Sequence, residues 1–204
     1  MFPWGHIAVG YLCYSLLTHL RGRTPTGIST VALVIGTQFP DLVDKPLSWS
    51  FDLLPAGVFA HTVFVAIPVS VLVLVVGRRY ARTELGVAFA VGYLSHLPAD
   101  VLPSVIFSDD PSYWFLFWPV IPRPGVDVSN PIVGPGAGAG LLTNAQYYFL
   151  DYVHDLLGSP QELLYVGAYL VLFGAIFALW LYDGHPGTGV IGRAVCRVAG
   201  RSSS

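Results

Sequence analysis

The chain contains a series of long apolar runs, of which Glu162–Tyr182 is the clearest. A transmembrane helix needs about 20 mostly apolar residues to cross about 30 Å of hydrocarbon. Three further runs come close to that length: Trp4–Leu20, Thr62–Gly77 and Leu85–Phe107. A fifth run, Gly27–Phe39, would make only about 20 Å of helix and is too short to span unaided. The runs predict an all-α, polytopic membrane protein with about five transmembrane helices, one of them short.

Composition supports this class and excludes others. Of the 204 residues, 54% are hydrophobic and 11% are charged, whereas soluble domains carry about 25% charged residues. So few charges cannot cover a globule in water, which argues against a disordered chain, a nucleic-acid binder and an ordinary soluble enzyme. The two cysteines, Cys13 and Cys196, indicate neither a disulfide framework nor a cysteine metal site.

The distribution of basic residues predicts an orientation. Three short segments hold eight of the ten lysines and arginines: Arg21/Arg23, Arg78/Arg79/Arg82 and Arg193/Arg197/Arg201. If all five runs cross, these segments lie on one side, which the positive-inside rule makes cytoplasmic. We therefore expect a multi-pass protein of the plasma (cytoplasmic) membrane, with its N-terminus outside and its C-terminus inside. Residues 1–182 would form one helical membrane domain with an outer loop segment at about 108–160, followed by a short basic cytoplasmic tail at 183–204.

Several ionisable residues lie within or beside the apolar runs, where they are costly and therefore functional candidates. They are His6, Asp41, Asp44, His61, His96 and Asp100. With the predicted orientation, all of them fall near the outer ends of their helices. His96 and Asp100 are four residues apart and share one helix face, and Asp41 and Asp44 at a spacing of three can converge likewise.

These residue types predict a metal site. Imidazole nitrogens and carboxylate oxygens bind zinc, manganese or iron without any thiolate. Plainer interpretations stay open for each residue taken alone: interfacial polar residues for His6 and His61, a helix cap for the aspartates after Pro40, and a structural pair for His96 and Asp100. Pro98 lies inside the His96–Asp100 turn and is expected to kink that helix.

At these positions the sequence resembles the YdjM-like family of membrane-bound proteins assigned as metal-dependent hydrolases. The resemblance runs from about residue 3 to about residue 120. Its pieces, in chain order, are His6-Ile-Ala-Val-Gly10, Pro40 to Pro46 with Pro-Asp-x-x-Asp and Lys-Pro, His61-Thr62, Gly92 to Asp100 with Gly-Tyr-x-x-His-x-x-x-Asp, and Phe115 to Pro119. The resemblance implies a hydrolase. The histidine and His-x-x-x-Asp pattern is also similar to helical zinc-dependent phospholipase C and nuclease proteins, which implies phosphoester chemistry.

We therefore predict a membrane-bound hydrolase with a divalent metal, zinc or manganese, near the outer leaflet. His6, Asp41, His61, His96 and Asp100 would bind the metal, Asp44 would be a ligand or the general base, and Asp44 and Asp100 are the residues assigned to catalysis. Bound metal would activate water to attack an ester, and a site at this depth favours membrane lipids, above all lipid phosphoesters, as substrates over other small-molecule esters.

Two alternatives belong to other classes. The same His and Asp residues suit an ion or proton pathway in a small transporter or a membrane-assembly factor, although few polar residues continue toward the inner leaflet. They also suit a structural metal site without turnover, since catalysis needs an open coordination position. No nucleic-acid partner is expected, and the sequence leaves the oligomeric state open.

Overall fold

The described part of the chain is all-helical in a computed structural model. The structure describes residues 3–51, 53–54, 57–107, 112–121, 139–156 and 160–201. Within them lie seven α-helices and no strand: α1 Pro3–His19, α2 Gly27–Trp49, α3 Val63–Arg79, α4 Thr83–Phe107, α5 Gly140–Leu156, α6 Pro160–Tyr182 and α7 Thr188–Arg201. A short 3₁₀ helix, Trp114–Phe117, lies between α4 and α5. The prediction of an all-α protein is confirmed.

The predicted short second helix is wrong in length. Instead of ending at Phe39, α2 continues to Trp49 and has 23 residues, with Pro40 and Pro46 inside it. The apolar run stops at Phe39 because the next turns carry Asp41 and Asp44. These carboxylates have partners within the fold, so the helix continues through them, although each proline removes one backbone hydrogen bond.

Two further helices, α5 and α7, have no counterpart among the predicted runs. The first lies in the predicted outer loop segment, of which residues 108–111, 122–138 and 157–159 are outside the described residues. The second occupies the predicted basic tail, with Arg193 and Arg197 exposed. Both helices alternate polar and apolar residues, so a search for long apolar runs passes over them.

One stretch of the described residues, Thr83–Val105 in α4, is long and apolar enough to cross a membrane, and Val166–Tyr182 in α6 is a shorter apolar helix. Both α1 and α3 have 17 residues. At about 1.5 Å per residue each is somewhat shorter than the roughly 30 Å hydrocarbon layer.

The chain forms two compact units. Unit 1 comprises Met1–Gln38, Ser70–His96 and Ala175–Ser204, and unit 2 comprises Phe39–Val69 and Leu97–Gly174. Helices α2, α3, α4 and α6 are therefore divided between the units, whereas α1 and α7 belong to unit 1 and α5 belongs to unit 2.

Glycines allow the helices of unit 1 to approach closely. A Cβ atom on Gly36 of α2 would overlap the backbone carbonyl of Phe89 on α4, and one on Gly92 of α4 would overlap the carbonyl of Leu33. A Cβ atom on Gly10 of α1 would overlap the Thr37 side chain. Small residues at helix contacts are typical of membrane proteins, where backbone packing takes over much of the role of the hydrophobic effect.

The carboxylate of Asp183 joins the end of α6 to α1 within unit 1. Its Oδ2 accepts hydrogen bonds from the hydroxyls of Tyr11 at 2.6 Å and Ser15 at 2.7 Å. His19 Nε2 lies 2.7 Å from Oδ1. Burial by itself would raise the pKa of Asp183, but the hydrogen bonds from Tyr11, Ser15 and His19 outweigh it and hold the pKa below its usual value. We infer that this contact fixes the C-terminal end of α6.

In unit 2, aromatic stacking attaches α5 to the end of α2. The ring of Trp49 stacks on that of Tyr148, with centroids 5.3 Å apart and an angle of 14° between the planes. Lys45 Nζ lies 5.8 Å from the centre of the Trp49 ring, within the range of a cation–π contact. These contacts stabilise the helical turns of α2 that follow Pro40.

The glycine contact between α2 and α4 predicts a specific loss of stability. Because the backbone of Phe89 leaves no room for a methyl group at position 36, Gly36→Ala is expected to cost about 1–3 kcal/mol and to lower the midpoint of thermal unfolding in detergent. Gly174→Ala in α6 is the control, since a Cβ atom there meets nothing within 4 Å. Equal midpoints for the two variants would contradict the close approach.

Candidate metal centre

The candidate centre begins with Asp44, a buried carboxylate on α2. Its Oδ1 accepts a hydrogen bond from the backbone N–H of Ala60 at 2.8 Å, and its Oδ2 lies 2.8 Å from His61 Nδ1. Only 2% of Asp44 is exposed. A buried charge is stable only when it is paired and hydrogen-bonded, and the segment before α3 supplies both partners.

The segment that carries His61 runs from a turn at Gly57 to the cap of α3. Gly57 takes a φ of +74°, a left-handed conformation that glycine adopts without steric cost. Thr62 caps α3, because its hydroxyl accepts from the backbone N–H of Phe64 at 3.4 Å. The Thr62 hydroxyl also donates toward the carbonyls of Trp118 and Leu116, at 2.7 and 3.0 Å. His61 is thereby held between a turn and a helix cap.

The hydrogen bond to Asp44 determines what the other side of the His61 ring can do. An ionised carboxylate only accepts, so Nδ1 carries the proton and Nε2 keeps its lone pair. Nε2 lies 3.5 Å from Asp100 Oδ2 and 3.7 Å from Asp41 Oδ1. A carboxylate that orients a histidine from behind is the usual support of a metal-binding imidazole.

His61 Nε2 lies about as far from each carboxylate oxygen as two ligands of one ion lie from each other. Zinc binds nitrogen and oxygen ligands at about 2.0–2.2 Å, which places neighbouring donor atoms roughly 3–3.5 Å apart around the ion. The distances from His61 Nε2 to Asp41 and to Asp100 are close to that range. Imidazole and carboxylate donors at such distances could hold a metal ion.

Unit 1 holds the two other predicted histidines. His6 on α1 and His96 on α4 are buried, at 1% and 0% exposure. Their rings stack with centroids 3.7 Å apart. His96 Nδ1 lies 2.6 Å from the carbonyl oxygen of Thr37, which only accepts. The proton of His96 is therefore on Nδ1, and its Nε2 is in the form that can bind a metal.

The structure thus places the six predicted residues in two sets. Within unit 2 it brings together Asp41, Asp44, His61 and Asp100, and within unit 1 it pairs His6 with His96. The aspartates after Pro40 lie inside α2, so interpreting them as a cap is wrong. His96 and Asp100 both lie within α4, which continues past Pro98.

Buried histidine and aspartate side chains of the described residues could hold a metal ion. The fold and these side chains define a class: an all-helical protein with a His/Asp centre that could hold a metal ion.

The chain belongs to the YdjM inner membrane protein family, whose sequence profile matches residues 1–185. It is a membrane protein of that family, and the matched range includes all six candidate residues. Neither a curated protein nor a solved structure matches the chain.

One further polar residue of unit 2 escaped the sequence analysis as a candidate. Lys45 Nζ lies 2.7 Å from Asp41 Oδ2 and forms an ion pair with it at a spacing of four on α2. Its sequence signal was the spacing to Asp41, together with the absence of any other lysine from the chain.

The role of Asp44 as support for His61 predicts an effect on metal affinity. In Asp44→Asn the amide oxygen can still accept from Ala60, but the charge that fixes the proton on His61 Nδ1 is lost. Removing such a supporting partner costs about 10–100-fold in metal affinity. Competition of purified protein against a fluorescent zinc chelator measures this affinity. An unchanged affinity in the Asn variant would contradict the supporting role.

Proposed function

We propose that this protein is a membrane-bound, metal-dependent hydrolase that cleaves an ester, with a lipid phosphoester as the first substrate class. The observation that carries the proposal is the convergence of Asp41 and Asp100 on His61 Nε2, with Asp44 behind the ring. Bound zinc or manganese would supply a Lewis acid and an activated water.

The residues of the candidate centre have different roles in the proposed reaction. Asp41, His61 and Asp100 hold the ion. Asp44 orients His61 and is too deeply engaged, with both oxygens bonded, to serve as a mobile base. Asp100, with 18% of its side chain exposed, is the better candidate for proton transfer in the reaction.

His6 and His96 of unit 1 are the other two residues proposed to bind metal. Their rings are buried and stacked on each other, and Nε2 of His96 is in the tautomer that can bind a metal.

Hydrolysis of a phosphoester by purified protein tests this function. We expect zinc- or manganese-dependent release of product from a lipid phosphomonoester in mixed micelles, abolished by chelator and restored by metal. Asp100→Asn is expected to lose at least about 100-fold in turnover, within the range of general acid–base catalysis. His154→Ala, at an exposed position on α5, is the control and should keep wild-type turnover.

A metal-loaded wild-type protein that is inactive on phosphoesters and carboxylic esters alike would contradict the enzyme assignment. The centre would then be a structural metal site.

We further propose the multi-pass arrangement predicted from the sequence, with the N-terminus outside and the C-terminus in the cytoplasm. The exposed Cys196 on α7 provides the test in a Cys13→Ser background, where it is the single thiol. A membrane-impermeant maleimide should fail to label it in intact spheroplasts and should label it after the membranes are opened. An antibody should reach a peptide tag placed before Met1 on the same spheroplasts. Labelling of Cys196 in intact spheroplasts would reverse the proposed orientation.

A further inference from the structure

Lys45 is the single lysine of the chain, and it lies beside the candidate centre. Its ammonium is 2.7 Å from Asp41 Oδ2, while the other oxygen of Asp41 is 3.7 Å from His61 Nε2. The cation therefore neighbours the donor atoms that would hold a metal, separated from them by one carboxylate group.

Contacts on the other side limit where this ammonium can go. The ring of Trp49 lies one turn further along α2, 5.8 Å from Nζ, and is itself stacked on Tyr148 of α5. About a third of the Lys45 side chain is exposed, against 4% for His61. An ammonium has three donors, and the hydrogen bond to Asp41 uses one of them. Lys45 thus holds a positive charge beside the donor set, at a position more exposed than His61.

The formal charges of the candidate centre indicate a role for the Lys45 ammonium. With His61 neutral, Asp41, Asp44 and Asp100 together with Lys45 carry a formal charge of −2, which one divalent cation brings to zero. Without Lys45 the loaded centre would keep a negative charge and repel an anionic substrate. The lysine therefore makes the centre compatible with an anion once the metal is bound, and only then.

We propose that Lys45 is a specificity-determining residue that binds a non-bridging oxygen of an anionic phosphoester beside the metal. This inference rests on the proposed function and narrows its substrate class from esters in general to phosphoesters that carry a negative charge. Lysine is a frequent phosphate ligand because it offers a compact charge with several donors. The competing account is an i,i+4 ion pair that serves only to stabilise α2.

The single lysine allows direct observation of this site. Growth on ¹³C,¹⁵N-labelled lysine labels Lys45 alone and leaves its three N–H donors unchanged. Loss of the side-chain signal in Lys45→Gln assigns the spectrum of the zinc-loaded protein. We expect inorganic phosphate to shift the Lys45 signal saturably when zinc is bound and to leave it unchanged in chelator. Chloride at equal ionic strength is the control.

The source of the phosphate group is distinguished by a second arm. Zinc-loaded protein in nanodiscs of phosphatidylcholine is compared with protein in nanodiscs that also contain phosphatidic acid. A shift with phosphatidic acid alone assigns the site to a lipid headgroup. A shift with inorganic phosphate as well assigns it to phosphomonoesters regardless of the lipid.

Calorimetry on Lys45→Gln separates binding from stabilisation. Loss of a charged hydrogen bond is expected to weaken phosphate binding at least about tenfold, while zinc binding stays the same or tightens because a repelling cation is gone. Arg193→Gln, an exposed charge removal on α7, should change neither. Lys45→Arg should recover part of the phosphate affinity.

Two results overturn the inference and differ from each other. In the first, zinc-loaded wild type and Lys45→Gln bind phosphate with equal affinity and the Lys45 signal does not shift. The lysine then only pairs with Asp41, and the hydrolase proposal stays intact. Failure of both proteins to bind zinc would overturn the proposed function, and the role of Lys45 with it.

Discussion

The candidate site depends on how one buried carboxylate is satisfied. Asp44 is almost fully excluded from solvent and accepts from both the Ala60 backbone and the His61 ring. A carboxylate left unpaired in this place would cost several kcal/mol, so the segment before α3 must lie against α2. The same bond fixes the His61 tautomer and aims Nε2 at Asp41 and Asp100. The contact between Asp44 and His61 therefore both stabilises the fold and orients the imidazole of the candidate site.

Close backbone packing sets the positions of the other histidines. The glycines at 10, 36 and 92 let α1, α2 and α4 approach within unit 1. This approach brings the carbonyl of Thr37 to His96 and stacks His6 on the same ring. In a membrane protein such contacts replace part of the hydrophobic driving force. Larger residues at these positions would separate the rings without touching either histidine.

Much of the helical architecture could be predicted from the sequence, because long apolar runs and their polar ends are local signals. The starts of α1, α3 and α4 lie within two residues of their predicted positions. The extension of α2 through Asp41 and Asp44 could not be predicted, since it depends on partners such as His61 that are distant in sequence. For α5, the stacking of Tyr148 on Trp49 is likewise a tertiary contact that no local pattern reveals.

The residues of the candidate site could be predicted from the sequence, whereas most of their contacts could not. All six candidates could be predicted because they are ionisable residues within or beside apolar runs. Burial of such groups is costly, which makes them functional candidates. Their roles depend on contacts that only the structure shows. Asp44 supports His61, and Lys45 lies beside the centre because it pairs with Asp41. The cluster of Tyr11, Ser15 and His19 around Asp183 was missed, because its parts are more than 160 residues apart.

Elemental analysis by inductively coupled plasma mass spectrometry tests whether these His and Asp side chains hold a metal. Detergent-purified wild type is compared with His61→Ala and with the control His154→Ala after reconstitution with zinc or manganese and removal of excess ion. We expect near-stoichiometric metal in the wild type and in the control, and its loss in His61→Ala. Wild-type protein without bound metal, or His61→Ala with as much metal as wild type, would contradict this expectation.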